Sequence, residues 1–125
     1  MKRGKEKPTV LVVDDEPLIR LFACGIIEEA GYPTKEAGDA EEAMRILADG
    51  RITIVIADIE MPGSMGGLAL VRQVRETWPH IAVIVASGKH LPLPDELSEE
   101  TEFLAKPFSP ERLLSLIAHA CQRHH

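Results

Sequence analysis

Three short runs of the chain are almost continuously apolar and rich in Val and Ile, and segments with helical periodicity separate them. The runs are Val10 to Val13, Ile52 to Ala57 and Ile81 to Ala86, with weaker strand patterns at Thr34 to Ala37 and Glu102 to Ala105. Strands that are apolar on both faces are typical of a parallel sheet covered by helices on two sides. The alternation of strand and helix therefore predicts an α/β fold with a doubly wound, five-stranded parallel sheet and right-handed crossovers.

The first helix is predicted from apolar residues that recur every four positions. These residues are Leu18, Phe22, Ile26 and Ala30. Pro17 suits the first turn of a helix, and Gly31 is a residue type that often follows a helix end. The sequence therefore predicts a helix that begins near Pro17 and ends before Gly31.

Three further helices have clear start or stop signals. Asp39 and Glu42 form a box-like cap for the second, Pro79 closes the third, and Ser109 with Pro110 opens the last. Apolar residues recur with helical spacing in each of these segments. The helices therefore alternate with the predicted strands, as the fold requires.

The segment between the fourth and fifth strands, residues 87–100, breaks this regularity. It contains Pro92 and Pro94, which leave room for only one or two helical turns about residues 95–100. A helix at this point of the fold is therefore expected to be short or irregular. We expect a flexible tail at residues 1–8, one folded domain at 9–122 and a C-terminal tail at 123–125.

Composition excludes several classes of protein. A chain of 125 residues has room for one domain, and its net charge of -6 argues against a nucleic-acid partner bound through a broad basic surface. Cys24 and Cys121 form no metal-binding or disulfide pattern. No signal segment or membrane span is evident, so we expect a cytoplasmic protein with no membrane partner.

Polar side chains follow four of the predicted strands. Asp14 and Asp15 follow the first, Asp58 the third, Ser87 the fourth and Lys106 the fifth. Ligands of open α/β sheets bind at the carboxyl ends of the strands. We therefore expect these five residues to converge on one site.

The chemistry of these residues indicates a metal and a phosphoryl group. Carboxylates clustered without His or Cys favour Mg²⁺, which commonly shares a substrate phosphate. Ser87 and Lys106 suit the binding of phosphoryl oxygens. Asp14 and Asp15 are adjacent and better placed to hold metal, so Asp58 is assigned the attack on phosphorus.

Four segments, "VVDDE", "IADIEMPG", "VIVAS" and "FLAKPF", resemble the receiver domain of bacterial two-component response regulators. The resemblance extends from residue 9 to about residue 122. It implies that Asp58 accepts a phosphoryl group from a phosphohistidine on a sensor histidine kinase. It also implies that Asp14, Asp15, Asp58 and the backbone carbonyl of Glu60 bind Mg²⁺.

The resemblance assigns roles to the remaining site residues. Ser87 takes the place of the switch Ser or Thr, Lys106 contacts the phosphoryl group, and Phe103 falls at the switch aromatic position. It implies a cis peptide bond between Lys106 and Pro107. By analogy, it also implies the flavodoxin-like strand order 2-1-3-4-5.

The family pattern is not matched everywhere. The segment "MPGSMGGLAL" has one residue more than the usual receiver pattern, with Met65 and Gly66 where Asp-Gly is common. We expect no output domain after the last helix. We expect a monomer or weak dimer that signals by binding a downstream effector protein or by relaying phosphate to a histidine phosphotransfer protein. A receiver fragment of a larger regulator or hybrid kinase is an alternative.

Two other classes of protein were weighed against this hypothesis. A phosphatase of the haloacid dehalogenase type needs an Asp where this chain has Glu60 and a Thr where it has Pro62. No separate enzymatic turnover is therefore expected. A receiver-like interaction module that is never phosphorylated typically lacks one of the acids or the lysine, all of which are present here.

Overall fold

A computed structural model of the chain describes residues 8–61, 66–88 and 101–123. Its core is one parallel five-stranded sheet with the order β2-β1-β3-β4-β5. The strands are β1 (Val10–Val13), β2 (Thr34–Ala37), β3 (Ile54–Asp58), β4 (Ala82–Ser87) and β5 (Thr101–Ala105). The predicted fold class and strand order are confirmed.

Four helices lie in the described part of the chain. They are α1 (Pro17–Glu29), α2 (Ala40–Ala48), α3 (Gly67–Thr77) and α4 (Pro110–Arg123). Side chains of α2 and α3 pack with one face of the sheet, and side chains of α1 and α4 pack with the other. The central strands β1, β3 and β4 are buried along their whole length, as continuous apolar runs predict.

Two strands end later than their apolar runs predict. Asp58 pairs with Ala86, and Ser87 pairs with Ala105, so both polar residues are the last members of their strands. The ladder continues because the amide of Ile59 still donates to the carbonyl of Ala86 at 3.1 Å. Backbone pairing, which is insensitive to side-chain polarity, therefore places Asp58 and Ser87 rigidly at the sheet edge.

Helix α1 is confirmed, but the residues that predict it are not its buried face. The side chains of Leu18 and Phe22 are 80% and 51% exposed, whereas Ala23, Cys24 and Ile27 are buried. The helix packs through Ala23, Cys24 and Ile27, and Phe22 stacks on Phe108 with a centroid distance of 5.8 Å. The spacing identifies the helix correctly, but an apolar stripe remains exposed on its surface.

The predicted caps are present. The Asp39 side chain accepts from the amide of Glu42 at 2.8 Å, and the hydroxyl of Ser109 accepts from the amide of Arg112 at 3.1 Å. Gly31 has a φ of 98°, a left-handed conformation that favours glycine after a helix. These signals set the boundaries of α1, α2 and α4.

Several expectations fall on residues outside the described ranges. They concern residues 1–7 of the expected N-terminal tail, Pro62 and Met65, the short or irregular helix expected between β4 and β5, and residues 124–125 of the expected C-terminal tail. No helix among the described residues combines the length and apolar character that a bilayer span needs.

Candidate functional site

Side chains from the ends of four strands meet at the carboxyl edge of the sheet. Asp14 follows β1, Asp58 ends β3, Ser87 ends β4 and Lys106 follows β5. Asp14, Asp58 and Ser87 are 4%, 4% and 1% exposed, which is unusual for polar residues. The first three strands of this group are adjacent in the order β1-β3-β4, so parallel pairing aligns their ends.

Lys106 connects the two buried carboxylates. Its Nζ lies 3.0 Å from Oδ2 of Asp14 and 3.1 Å from Oδ2 of Asp58. Burial alone lowers the pKa of Lys106, but hydrogen bonds to Asp14 and Asp58, together with the attraction of their charges, raise the pKa above its ordinary value of 10.5. Lys106 is therefore a fixed positive charge in the site.

Each buried carboxylate is also held by a backbone amide. Oδ1 of Asp14 accepts from the amide of Glu16, and Oδ1 of Asp58 accepts from the amide of Glu60, both at 2.9 Å. In each aspartate, one carboxylate oxygen therefore accepts from a backbone amide two residues later, and the other contacts the ammonium of Lys106. These contacts fix the orientation of both carboxylates, as a positioned reactive group requires.

A third carboxylate completes an acidic cluster. Ligand atoms of Asp14, Asp15 and Asp58 all lie within 4.8 Å of one another, and Asp15 is exposed while the other two are buried. Among the residues that the structure describes, Lys106 is the lysine in contact with these three acids, which leaves an excess of negative charge. The oxygen-only donor set fits a hard divalent cation such as Mg²⁺.

Glu60 has a contact that the sequence analysis missed. Its Oε2 accepts from the hydroxyl of Ser87 at 2.5 Å, and its Oε1 accepts from the amide of Gly88 at 3.1 Å. The sequence analysis assigned only the backbone carbonyl of Glu60 to the site. The sequence carries no signal for this contact, because it depends on the register of β3 with β4, in which Asp58 pairs with Ala86.

The fifth strand positions the remaining predicted residues. Phe103 is half-buried opposite Val85 and packs against the same core as α2 and α3. The amide of Lys106 donates to the carbonyl of Ser87 at 2.9 Å, which joins the ends of β4 and β5. The peptide bond between Lys106 and Pro107 is cis. A rotameric switch of Phe103 stays a prediction.

The fold and this edge define the class of protein. Residues 10–118 match the family model of the response regulator receiver domain, so the chain belongs to that family. Receiver domains are signalling domains, not classical enzymes, and sensor kinases act on them.

Individual proteins show the same likeness. The chain is 32% identical over 118 residues to a putative NtrX-like response regulator of Rickettsia bellii, which covers 90% of this chain and 24% of the relative. The chain thus spans about a quarter of the length of this curated relative. A receiver domain from Clostridium thermocellum superimposes with a TM-score of 0.82 at 30% identity, covering 93% and 95% of the two chains.

A second similar structure was solved in complex with a ligand. It is the response regulator TrrA from Thermotoga maritima in complex with Mg(2+)-BeF. The likeness has a TM-score of 0.82 at 31% identity and covers 90% of this chain and 98% of TrrA.

Proposed function

We propose that the chain is a phosphorylation-dependent switch in which Asp58 accepts a phosphoryl group from a phosphohistidine of a sensor histidine kinase. The observation that carries the proposal is the buried Asp58 carboxylate, oriented by the amide of Glu60 and 3.1 Å from the ammonium of Lys106. Such an anion is both fixed and partly neutralised, which suits an attacking group whose catalysis depends on position and charge.

The transfer makes one bond and breaks one bond. A carboxylate oxygen of Asp58 forms the new bond to phosphorus while the bond from phosphorus to the donor imidazole nitrogen breaks. The imidazole nitrogen keeps the electron pair and takes up one proton. The product is an acyl phosphate, which carries about two negative charges in place of the single charge of the carboxylate.

Lys106 and Ser87 receive the transferred group. The ammonium of Lys106 already lies beside Asp58, so a small displacement brings it to the phosphoryl oxygens. The hydroxyl of Ser87, at the end of the neighbouring strand, supplies a hydrogen-bond donor. Movement of Ser87, followed by Phe103, is the proposed change that a partner protein reads.

We propose Mg²⁺ as the cofactor, held by the carboxylates of Asp14, Asp15 and Asp58 and by the backbone carbonyl of Glu60. The acidic cluster fits this ion, and the similar TrrA structure was solved with Mg(2+)-BeF. When bound, the ion neutralises negative charge on the attacking carboxylate and the transferred group. The carboxylates of Asp14, Asp15 and Asp58 would repel an anionic phosphodonor, and a bound cation would offset this repulsion.

The signal is proposed to leave the domain by protein contact in the cytoplasm. The proposed site accepts a phosphoryl group but does not itself produce a response. The response therefore requires an effector protein, a histidine phosphotransfer protein or a further part of a longer regulator. Phosphorylation selects between two arrangements of the β4 and β5 ends. The partner binds one arrangement more tightly.

Intact-mass spectrometry tests the proposal. Wild type, Asp58→Asn and Asp14→Asn are treated with acetyl phosphate with and without Mg²⁺. We expect one added phosphoryl group in wild type with Mg²⁺, none in Asp58→Asn, and slower addition in Asp14→Asn because a metal ligand is lost. Equal addition in Asp58→Asn would contradict the assignment, and no addition under any condition would favour an interaction module.

A further inference from the structure

We propose that the carboxylate of Glu60 is an internal competitor of the phosphoryl group for the donors at the end of β4. The inference rests on the proposed function, because it concerns what phosphorylation of Asp58 must displace. It adds an autoinhibitory contact to the site. In the unmodified chain, the contact holds Ser87 in a resting position.

The geometry of the contact is bidentate. One carboxylate oxygen of Glu60 accepts a hydrogen bond from the hydroxyl of Ser87 at 2.5 Å, and the other accepts one from the amide of Gly88 at 3.1 Å. Ser87 is 1% exposed, so its hydroxyl has little access to water as an alternative partner. Hydrogen bonds to an ionised acceptor are shorter and stronger than those between neutral groups. Glu60 therefore restrains both donors together.

The same two donors suit a phosphoryl group on Asp58. β3 and β4 are adjacent, and Asp58 pairs with Ala86, the residue immediately before Ser87. A phosphoryl group offers three acceptor oxygens and about two negative charges, whereas a carboxylate offers two oxygens and one charge. Because the Ser87 hydroxyl has one proton to donate, it bonds one of these acceptors at a time. Phosphorylation thus has to displace Glu60.

Charge favours that displacement once the phosphoryl group is present. Glu60 is two residues from Asp58 and is exposed, so its side chain can move toward solvent when the dianion repels it. In the unmodified chain, Lys106 offsets part of the negative charge of Asp14 and Asp58, and this repulsion is weaker. The contact is therefore stable before transfer and unstable after it. It sets how much phosphodonor the switch needs.

Binding of beryllium fluoride with Mg²⁺ isolates this competition from the chemistry of transfer. The half-saturating concentration is measured by ¹H–¹⁵N NMR for wild type, Glu60→Ala, Glu60→Gln and Glu16→Gln. Glu16→Gln is the matched control, since Glu16 is exposed near the site and the variant keeps the backbone amide that donates to Asp14. Loss of a charged hydrogen bond predicts that Glu60→Ala binds ~3- to 10-fold more tightly, Glu60→Gln by a smaller factor and Glu16→Gln as wild type.

A double variant tests whether Ser87 mediates the effect. In a Ser87→Ala background, Glu60→Ala is expected to change the half-saturating concentration much less than it does alone. Weaker or unchanged binding by Glu60→Ala, or an equal gain in Glu16→Gln, would overturn the competition. If Glu60→Ala does not fold, the same criteria apply to Glu60→Gln.

The contact itself is measurable without any phosphoryl analogue. Hydrogen exchange of the Gly88 amide is expected to be faster in Glu60→Ala than in wild type, because the amide loses its acceptor. Equal exchange would overturn the proposed contact. Failure of wild type to bind beryllium fluoride, with the exchange difference intact, would contradict the proposed function and leave the resting contact established.

Discussion

At the scale of single residues, charge balance is the main feature of the site. Lys106 is shared between two buried aspartates, and Asp15 adds a third negative charge at the surface of the cluster. Removing the lysine leaves buried carboxylates without their counter-ion, which costs more than the pair itself contributes. Lys106 is therefore expected to contribute to stability as well as to the proposed binding of a phosphoryl group.

Lys106→Met is expected to lower the free energy of unfolding by about 1–3 kcal/mol near neutral pH. Because the folded-state pKa of Lys106 is raised, its contribution is complete below 10.5 and is lost as the pH rises through the folded pKa. Urea unfolding of wild type and Lys106→Met across the alkaline range measures the difference in free energy of unfolding. This difference should become smaller only above pH 10.5. Lys35→Met, at an exposed lysine of β2, is the control.

If the difference in free energy of unfolding between wild type and Lys106→Met already becomes smaller near about pH 8, the raised pKa of Lys106 is contradicted. An equal loss of stability in Lys35→Met would show that the effect is one of net charge.

The five site residues proposed from sequence lie together because each follows a strand pattern that is recognisable in the sequence. The side-chain role of Glu60 was not accessible in this way. Its partners, Ser87 and Gly88, are 27 and 28 residues away, and only the register between β3 and β4 brings them together. The sequence pattern of a strand predicts that a residue lies at the end of that strand. The pairing between strands determines which residues it contacts there.

At the scale of elements, the start of α3 approaches the strand that carries Asp58 unusually closely. A Cβ atom on Gly67 would lie 2.3 Å from the carbonyl oxygen of Asp58 and 2.3 Å from Cα of Ile59. These neighbours are backbone atoms, which cannot rotate away. A glycine at position 67 thus allows α3 to pack directly behind the proposed phosphorylation site.

Gly67→Ala is expected to lower the free energy of unfolding by about 1–3 kcal/mol, because the strand or the helix must shift. Gly25→Ala is the matched control, since nothing lies within 4 Å of a Cβ at this exposed position in α1. That variant should be more stable than wild type by about 0.5–1 kcal/mol. Denaturant unfolding measures both, and a neutral Gly67→Ala would contradict the close approach.

Helix α1 illustrates what periodicity alone does not determine. A repeat every four residues is compatible with more than one face of a helix, and here the buried face carries Ala23, Cys24 and Ile27. The large residues Leu18 and Phe22 lie outside it. The helix was predictable from its sequence, but its rotation on the sheet depends on which side chains fit against α4 and β1.

Substitutions on the two faces of α1 should therefore differ sharply in their effect. Ile27→Ala, at a fully buried position, is expected to cost about 2–5 kcal/mol of stability. Leu18→Ala, at a side chain that is 80% exposed, is expected to change stability by less than about 0.5 kcal/mol. Thermal or urea unfolding distinguishes the faces, and a comparable loss in both variants would mean that Leu18 is buried.

At the scale of the whole molecule, two apolar cores, one on each face of the sheet, hold the strand ends in a fixed relation. The cores bury the central strands β1, β3 and β4 along their whole length, while the buried polar residues Asp14, Asp58 and Ser87 lie at one edge of the sheet. This arrangement lets the charge of one side chain, Asp58, change without loss of the packed interior. The fold thus separates the part that must be rigid from the part that must respond.

The most direct test of the account is to locate the acyl phosphate in the intact protein. Wild type is phosphorylated with acetyl phosphate and Mg²⁺, reduced with borohydride, digested and sequenced by tandem mass spectrometry. Reduction converts an aspartyl phosphate to homoserine, so the account predicts homoserine at position 58 alone, and only when Mg²⁺ is present. Homoserine at position 14 or 15, or at none of the aspartates, would contradict it.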